Sequence, residues 1–268
     1  MTACVACGGT VAPDGHCWDC GGAQPAFRAH LEISADEDAA AVTDRARRGV
    51  NADAMALATS AGWTIGVVCD GVSMSPRADR AAQVAAETAG AVLSARLASG
   101  ALPEDALDEA ALRASRAVAA LATSPRAAPA CTYVAGIAGP DGIWTSWIGD
   151  SRAYWLPDEG LRLTLTEDDV GDKEVLTSWL GADAGEPRPQ GRSYRPRGPG
   201  HLLLCTDGLW RHLPDAVSLR RHLRRPSTLE AARSLVRHAL DAGVHDNTTA
   251  LLVRHPDGPR DGHRKLDR

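Results

Sequence analysis

Four aspartates stand at one recurring address, the point where a short apolar run meets a loop. Asp70 follows Val67-Val68-Cys69, Asp150 follows Trp147-Ile148-Gly149, Asp207 follows Leu203-Leu204-Cys205-Thr206, and Asp246 with Asn247 precedes the last such run. A strand end lets a rigid sheet aim a side chain into a shared cleft, so the chain must fold in a way that gathers these ends. Three of the four have a glycine neighbour, as Asp70-Gly71, Gly149-Asp150 and Asp207-Gly208, where the backbone can come close and offer a carbonyl oxygen. One Asp-Gly pair alone is an ordinary turn. A set of hard oxygen donors favours Mg(II) or Mn(II) over zinc.

The runs around these aspartates outline the architecture. Ala54 to Ala58 and Trp63 to Cys69 read as paired strands across a turn at Thr59 to Gly62, followed by an alanine-rich helix over Arg77 to Ala98. Pro103 with Glu104 and Asp105 suits a first helical turn and opens a second helix to Leu121. Short β-branched or aromatic strands are expected at Thr132 to Ala138, Ile143 to Ile148, Ala153 to Leu156 and Leu161 to Leu165. His201 to Cys205 and Thr248 to Arg254 add two more, with helices after Asp207 and across Leu229 to Ala242. Hairpins interrupted by helices predict an α+β antiparallel sandwich flanked by helices, rather than a regular βαβ wind.

The N-terminus has a different logic. Cys4-x-x-Cys7 and Cys17-x-x-Cys20 are each followed by glycine, and four thiolates can close a tetrahedral zinc site with no open position. Residues 1–24 are therefore expected to form a zinc ribbon whose structural Zn(II) replaces a core. Two disulfides, a CxxC redox pair, or His16 as a substitute ligand are the alternatives at this level. Cys69, Cys131 and Cys205 lie in apolar runs and read as small buried hydrophobes of a reducing compartment. Residues 25–44, rich in alanine and acidic residues without a clean period, read as a linker, 45–256 as the main domain and 257–268 as a flexible tail.

Charge narrows the partners. With 29 Lys and Arg against 34 Asp and Glu, the formal net charge of -5 offers no global field for nucleic acid or an anionic membrane. No run approaches the roughly 18 apolar residues of a membrane span, and no secretory leader is visible. The expectation is a cytoplasmic monomer.

The motifs Asp70-Gly71-Val72, Trp147 to Tyr154 (WIGDSRAY), Leu202 to Trp210 (LLLCTDGLW) and Asp246 to Thr249 (DNTT) resemble, in order and spacing, the signatures of type 2C (PPM-family) serine/threonine protein phosphatases of the bacterial type. The resemblance spans roughly residues 45 to 254. It implies a four-layer αββα sandwich of two antiparallel sheets. It also implies that Asp70 bridges two Mg/Mn ions, Gly71 lends its carbonyl to one, and Asp207 with Asp246 binds the other. Arg48-Gly-Val-Asn-Ala-Asp53 is similar to the family's opening Arg-x-x-Asn-Glu-Asp motif, which makes Arg48 the phosphate-binding guanidinium and Asp53 an acidic support for the metals. Thr164 to Asp169 resembles the segment that supplies a third, weaker ion, with Asp168 at the matching position.

Departures from the family pattern are specific. Ala52 stands where Glu is usual, Asp169 where His is common, and Ser73-Met74 where a Gly-Gly pair is frequent, while the flap after Asp168 is short. Asp150, Ser151 and Arg152 read as turn support or a buried ion pair. The implied function is hydrolysis of phosphoserine and phosphothreonine in proteins, with metal-activated water and Arg48 and Asp70 as the catalytic pair. The partners would be a Ser/Thr protein kinase and its substrates. The alternative is a weakened scaffold that binds a phosphoprotein without turning it over.

Overall fold

A computed structural model of the chain describes residues 3–12, 15–24, 28–124, 127–213 and 216–255. After the N-terminal cysteines come β1 (His30–Ser34), β2 (Ala39–Asp44), β3 (Asp53–Ser60) and β4 (Trp63–Asp70), then α1 (Ala78–Ala98) and α2 (Pro103–Ala119). The middle of the chain is β5 (Ala130–Cys131), β6 (Tyr133–Gly139), β7 (Gly142–Ile148), β8 (Arg152–Pro157), β9 (Leu163–Thr164), β10 (Leu180–Gly181) and β11 (Gln190–Tyr194). It closes with β12 (Gly200–Cys205), α3 (Asp207–Trp210), α4 (Ala216–Leu223), α5 (Thr228–Asp241) and β13 (Thr248–His255).

Two antiparallel sheets result, one in the order β1-β2-β13-β12-β8-β9, the other β11-β7-β6-β4-β3, with a small β10-β5 pair beside them. Strand alternation sorts the apolar residues into three cores. Along β12, Leu202 and Leu204 face the opposite sheet, while Leu203 and Cys205 face the α5 side. Along β4, Val68 faces between the sheets and Ile65, Val67 and Cys69 face α1 and α2. The layers are thus helix, sheet, sheet, helix, the expected sandwich.

Local sequence explains how tightly they close. Ala81, Ala82, Ala85, Ala86 and Ala89 are fully buried, giving α1 a flat face that can approach its sheet. Glycine does the same between the sheets. Gly66 and Gly136 are cross-strand partners, and a Cβ on Gly66 would lie 2.6 Å from Leu251 Cδ2, one on Gly136 2.9 Å from Leu202 Cδ2. Ser227 caps the α5 start, its hydroxyl accepting from the Glu230 amide at 3.2 Å.

The structure corrects the domain boundaries. Residues 25–44 are not a linker, because β1 and β2 lie inside them and β2 pairs with β13 from Ala39↔Val253 to Asp44↔Thr248. Ala39, Ala41 and Val42 are fully buried and serve two cores, so the alternation that announces a half-buried strand is absent. The sandwich begins near His30 instead of residue 45. The expected strand at Leu161 to Leu165 shrinks to β9, with Leu161 left exposed, and β10 and β11 appear where no strand is expected. The proposed tail at 257–268 lies outside the described residues. No helix among the described residues is long and apolar enough to cross a membrane.

Candidate metal centre

Antiparallel neighbours bring opposite chain ends together. β12 ends and β13 begins at the same edge, which puts Asp207 next to Asp246, and the β3–β4 register pairs Asp53 directly with Asp70. The first two belong to one sheet and the second two to the other. Asp150 follows β7 on the crossing between them.

Their electrostatics follow from this crowding. Burial, and then the charges of Asp53, Asp207, Asp246 and Asp150, push the Asp70 carboxyl well above the usual carboxylate range. Asp53 is 2% exposed and is pushed up to about 7, chiefly by desolvation, although the hydroxyls of Thr249 and Thr206 donate to its Oδ2 at 2.7 and 2.9 Å. Its Oδ1 is buried without a partner. A cluster of this kind calls for a cation, and its all-oxygen donors suit Mg(II) or Mn(II). Glycines hold the backbones close: a Cβ on Gly71 would lie 2.6 Å from the Ala78 carbonyl oxygen, and one on Gly208 2.0 Å from that of Asn247.

The loops are fixed by polar residues to which the sequence alone gives no role. Asn247 donates to the carbonyls of Arg45 and Val50 and accepts from the Ala52 amide, all at 2.8 to 3.0 Å, so it holds the loop that carries Arg48. Asn51 binds the Arg28 carbonyl, the Thr43 hydroxyl and the Asp53 amide. The Thr132 hydroxyl accepts from the Asp70 amide and lies 2.7 Å from the Ser151 hydroxyl, which is 1% exposed and structural. Asn51, Thr132, Ser151 and Asn247 each lie just outside a strand, so no strand pattern marks them.

Two arginines lie across the cluster. Arg48 Nη2 donates to Asp246 Oδ2 at 2.6 Å, and Arg211 Nε donates to Asp207 Oδ2 at 3.1 Å. The expected third-site residue is placed differently. Asp168 gives both oxygens to Arg152, at 2.9 and 2.7 Å, in a fork that leaves it committed to an ion pair. Arg152 also lies over the Trp210 ring, 3.5 Å from its centroid. Asp150, expected to be turn support, joins the cluster: burial and then Asp207 push its carboxyl up to about 6. Asp169 anchors the same loop, accepting from the Gly149 amide at 2.9 Å and from Gln190 at 2.6 Å. Ser73 and Met74 are both exposed, Met74 to 95%.

The N-terminal cysteines form a second cluster. One sulfur each from Cys4, Cys7, Cys17 and Cys20 lie within 4.8 Å of one another, and the Cys4–Cys20 and Cys7–Cys17 separations are 3.8 and 3.5 Å. Tetrahedral zinc with bonds of about 2.3 Å would hold its sulfurs about 3.8 Å apart, whereas a disulfide needs about 2.0 Å. The two knuckles match: the amides of Ala6 and Asp19 each donate at 3.4 Å to the first sulfur of their own turn. Gly8 and Gly21 take the left-handed φ values, 75° and 71°, that these turns need. Backbone amides of Cys7 and Ala6 pull the Cys4 thiol down to about 6, while Cys7, despite the Gly9 amide, is pushed up to about 12 by the Cys17 and Cys20 sulfurs, the crowding that a cation would relieve. His16 is not a fifth candidate, because its Nε2 lies 2.7 Å from Asp79 Oδ2 on α1.

Comparison with known proteins agrees with this geometry. Residues 43–243 match the family described as protein phosphatase 2C. A putative protein phosphatase of Mycoplasma pneumoniae is 29% identical over 144 residues, 46% of this chain and 55% of that protein, so the chain spans about half the length of the curated relative it matches. The PPM Ser-Thr phosphatase MsPP of Mycobacterium smegmatis, solved with cacodylate, is 25% identical with a TM-score of 0.66, covering 82% of this chain and 99% of that one. The catalytic domain of the serine threonine protein phosphatase PstP, solved with two manganese ions, shares the fold at 24% identity and a TM-score of 0.61, covering 84% and 98%.

Proposed function

Since this chain belongs to the protein phosphatase 2C family, we propose that it hydrolyses phosphoserine and phosphothreonine monoesters of proteins at the Asp70 cluster. The observation that carries the proposal is that strand ends of both sheets bring Asp53, Asp70, Asp207 and Asp246 to one edge, where burial first and then their mutual repulsion raise the Asp70 carboxyl. Manganese in the PstP structure supports the choice of Mn(II) or Mg(II).

The residues divide the work. Asp70, from one sheet, and Asp207 with Asp246, from the other, would hold two ions, with the Gly71 carbonyl as a further oxygen. Asp53 sits behind them with one free oxygen. Asp150 would serve an additional ion better than Asp168, which is taken by Arg152. When bound, the ions supply acidification of a water and neutralisation of phosphoryl charge. Arg48 would turn its donor fork from Asp246 to the phosphate, orienting the ester for in-line attack. No nucleophilic side chain is needed, and the buried Ser151 is not placed to act as one. Zn(II) on the four cysteines would be structural. Action in the cytoplasm on kinase substrates remains part of this proposal.

The test is turnover of p-nitrophenyl phosphate and a phosphothreonine peptide with Mn(II), Mg(II) or EDTA. Metal-dependent hydrolysis that is lost in Asp207→Asn is expected. A folded protein that binds the phosphopeptide yet releases no phosphate at saturating metal would make the chain a scaffold, the outcome that Ala52 in place of a carboxylate would favour.

A further inference from the structure

The four-cysteine module is docked on the sandwich beside the phosphate end of the site. His16 and Asp79 meet at 2.7 Å with only 13% and 17% of their side chains exposed. Next to that pair, Ala23 closes on Val50, Asn51 and Asp53 around a gap of about 10 Å³. The module therefore packs on the loop that holds Arg48 and Asp53 in place.

A larger pocket of about 320 Å³ opens along the same seam. Gly21, Gly22 and Ala23 form its ribbon wall, and Ser73, Arg77 and Ala78 its sandwich wall. Arg48, Ala52 and Asn247 also line it, so the pocket adjoins the guanidinium proposed to bind phosphate. Small side chains and bare backbone line most of it, a surface suited to an extended peptide chain.

Its charges are unequal. Asp79 is committed to His16 and Arg48 to Asp246. Arg77 is bonded to the Leu121 carbonyl and has no carboxylate partner among the described residues. Ala52 brings no charge to the lining.

We propose that this pocket receives the peptide segment next to the phosphorylated residue, and that Arg77 gives it a preference for an acidic side chain there. The ribbon is then a wall of the substrate cleft. The proposal rests on the phosphatase reading above and names the substrate class for that site.

The experiment uses the full chain loaded with zinc and manganese, and compares p-nitrophenyl phosphate with two phosphothreonine peptides, one flanked by alanine and one by aspartate. Wild type should favour the aspartate-flanked peptide in KM by about fivefold, the size of a partly exposed ion pair. Arg77→Gln should bring that ratio to about one while Arg77→Lys keeps most of it, a pattern that general loss of activity does not produce. Ala23→Trp, which fills the pocket from the ribbon side, should lower the peptide rate relative to p-nitrophenyl phosphate. Fluorescence anisotropy of both labelled peptides on the Asp207→Asn protein gives the same ratio without turnover. An unchanged ratio in Arg77→Gln, or an Ala23→Trp protein of full zinc content with unaltered peptide selectivity, would overturn the proposal. Absence of p-nitrophenyl phosphate turnover, with the anisotropy ratio intact, would sink the phosphatase reading and leave the pocket assignment standing.

Discussion

The two candidate metal regions gather their ligands by opposite routes. The aspartates are placed by sheets whose registers, buried glycines and loop-locking asparagines bring their strand ends to one edge. The cysteines are placed by two short knuckles in which Cys4, Ala12 and Cys17 are the buried apolar residues among those described. On the proposed reading, the first region has a fold that stands by itself and a chemistry that would need the ion, whereas in the second the fold itself would need it. If the chain does use metal both as reagent and as core, the two uses should fail differently.

Removing one thiolate is the hardest test of that difference. Cys17→Ser should abolish zinc retention, a change of roughly 10 kcal/mol on the scale of structural zinc sites, and render residues 3–24 rapidly cleavable by protease. The sandwich from His30 onward should survive with its melting temperature within a few degrees, read by limited proteolysis and circular dichroism. Next in size, Asp207→Asn should lower metal-dependent kcat on the order of 10³-fold, or about 4 kcal/mol, with melting unchanged or raised because one repulsive charge is gone. Unfolding of this variant would break the comparison, since the carboxylate cluster would then be structural too.

Acid should reach the sandwich by a route that involves neither metal. His201 on β12 is 6% exposed, and burial followed by the Arg254 charge holds its pKa down to about 4 from 6.5. The folded state therefore binds fewer protons than the unfolded one between those values, so stability falls as pH drops from 6.5 towards 4. The loss should approach about 3 kcal/mol in denaturant titrations and shrink in His201→Gln. Equal pH profiles for both proteins would remove His201 as the cause. Smallest of all, Ala52→Glu should tighten Mn(II) activation several-fold, about 1 kcal/mol, by restoring a carboxylate beside the cluster.

Much of this was legible from residues alone, and the gaps have physical causes. The helices and the strands β3, β4, β6, β7, β12 and β13 have the apolar runs and turn residues that announce them. β2 escaped because it is buried on both faces and built on alanine, and β11 because its sequence, Gln190 to Tyr194, is polar and largely exposed at a sheet edge. Asp70, Asp207 and Asp246 were readable from their strand-end position. Asp150 and Asp168 were not separable in that way, because which of them Arg152 takes is decided by loops that meet only in three dimensions. Asn51 and Asn247 act through backbone contacts up to 202 residues away in the chain, which no local pattern encodes.

The Gly66–Gly136 pair has a consequence well beyond packing. Asp53 and Asp70 ride on one sheet and Asp207 and Asp246 flank strands of the other, so the gap that the proposed ions would bridge is the inter-sheet spacing read at its rim. That spacing is set where two missing methyl groups admit Leu202 and Leu251. Gly66 lies four residues, or about 13 Å, from Asp70 along β4. Any methyl added there works as a shim, and the width of the gap between the aspartates is gauged in the middle of the core, by residues remote from that rim.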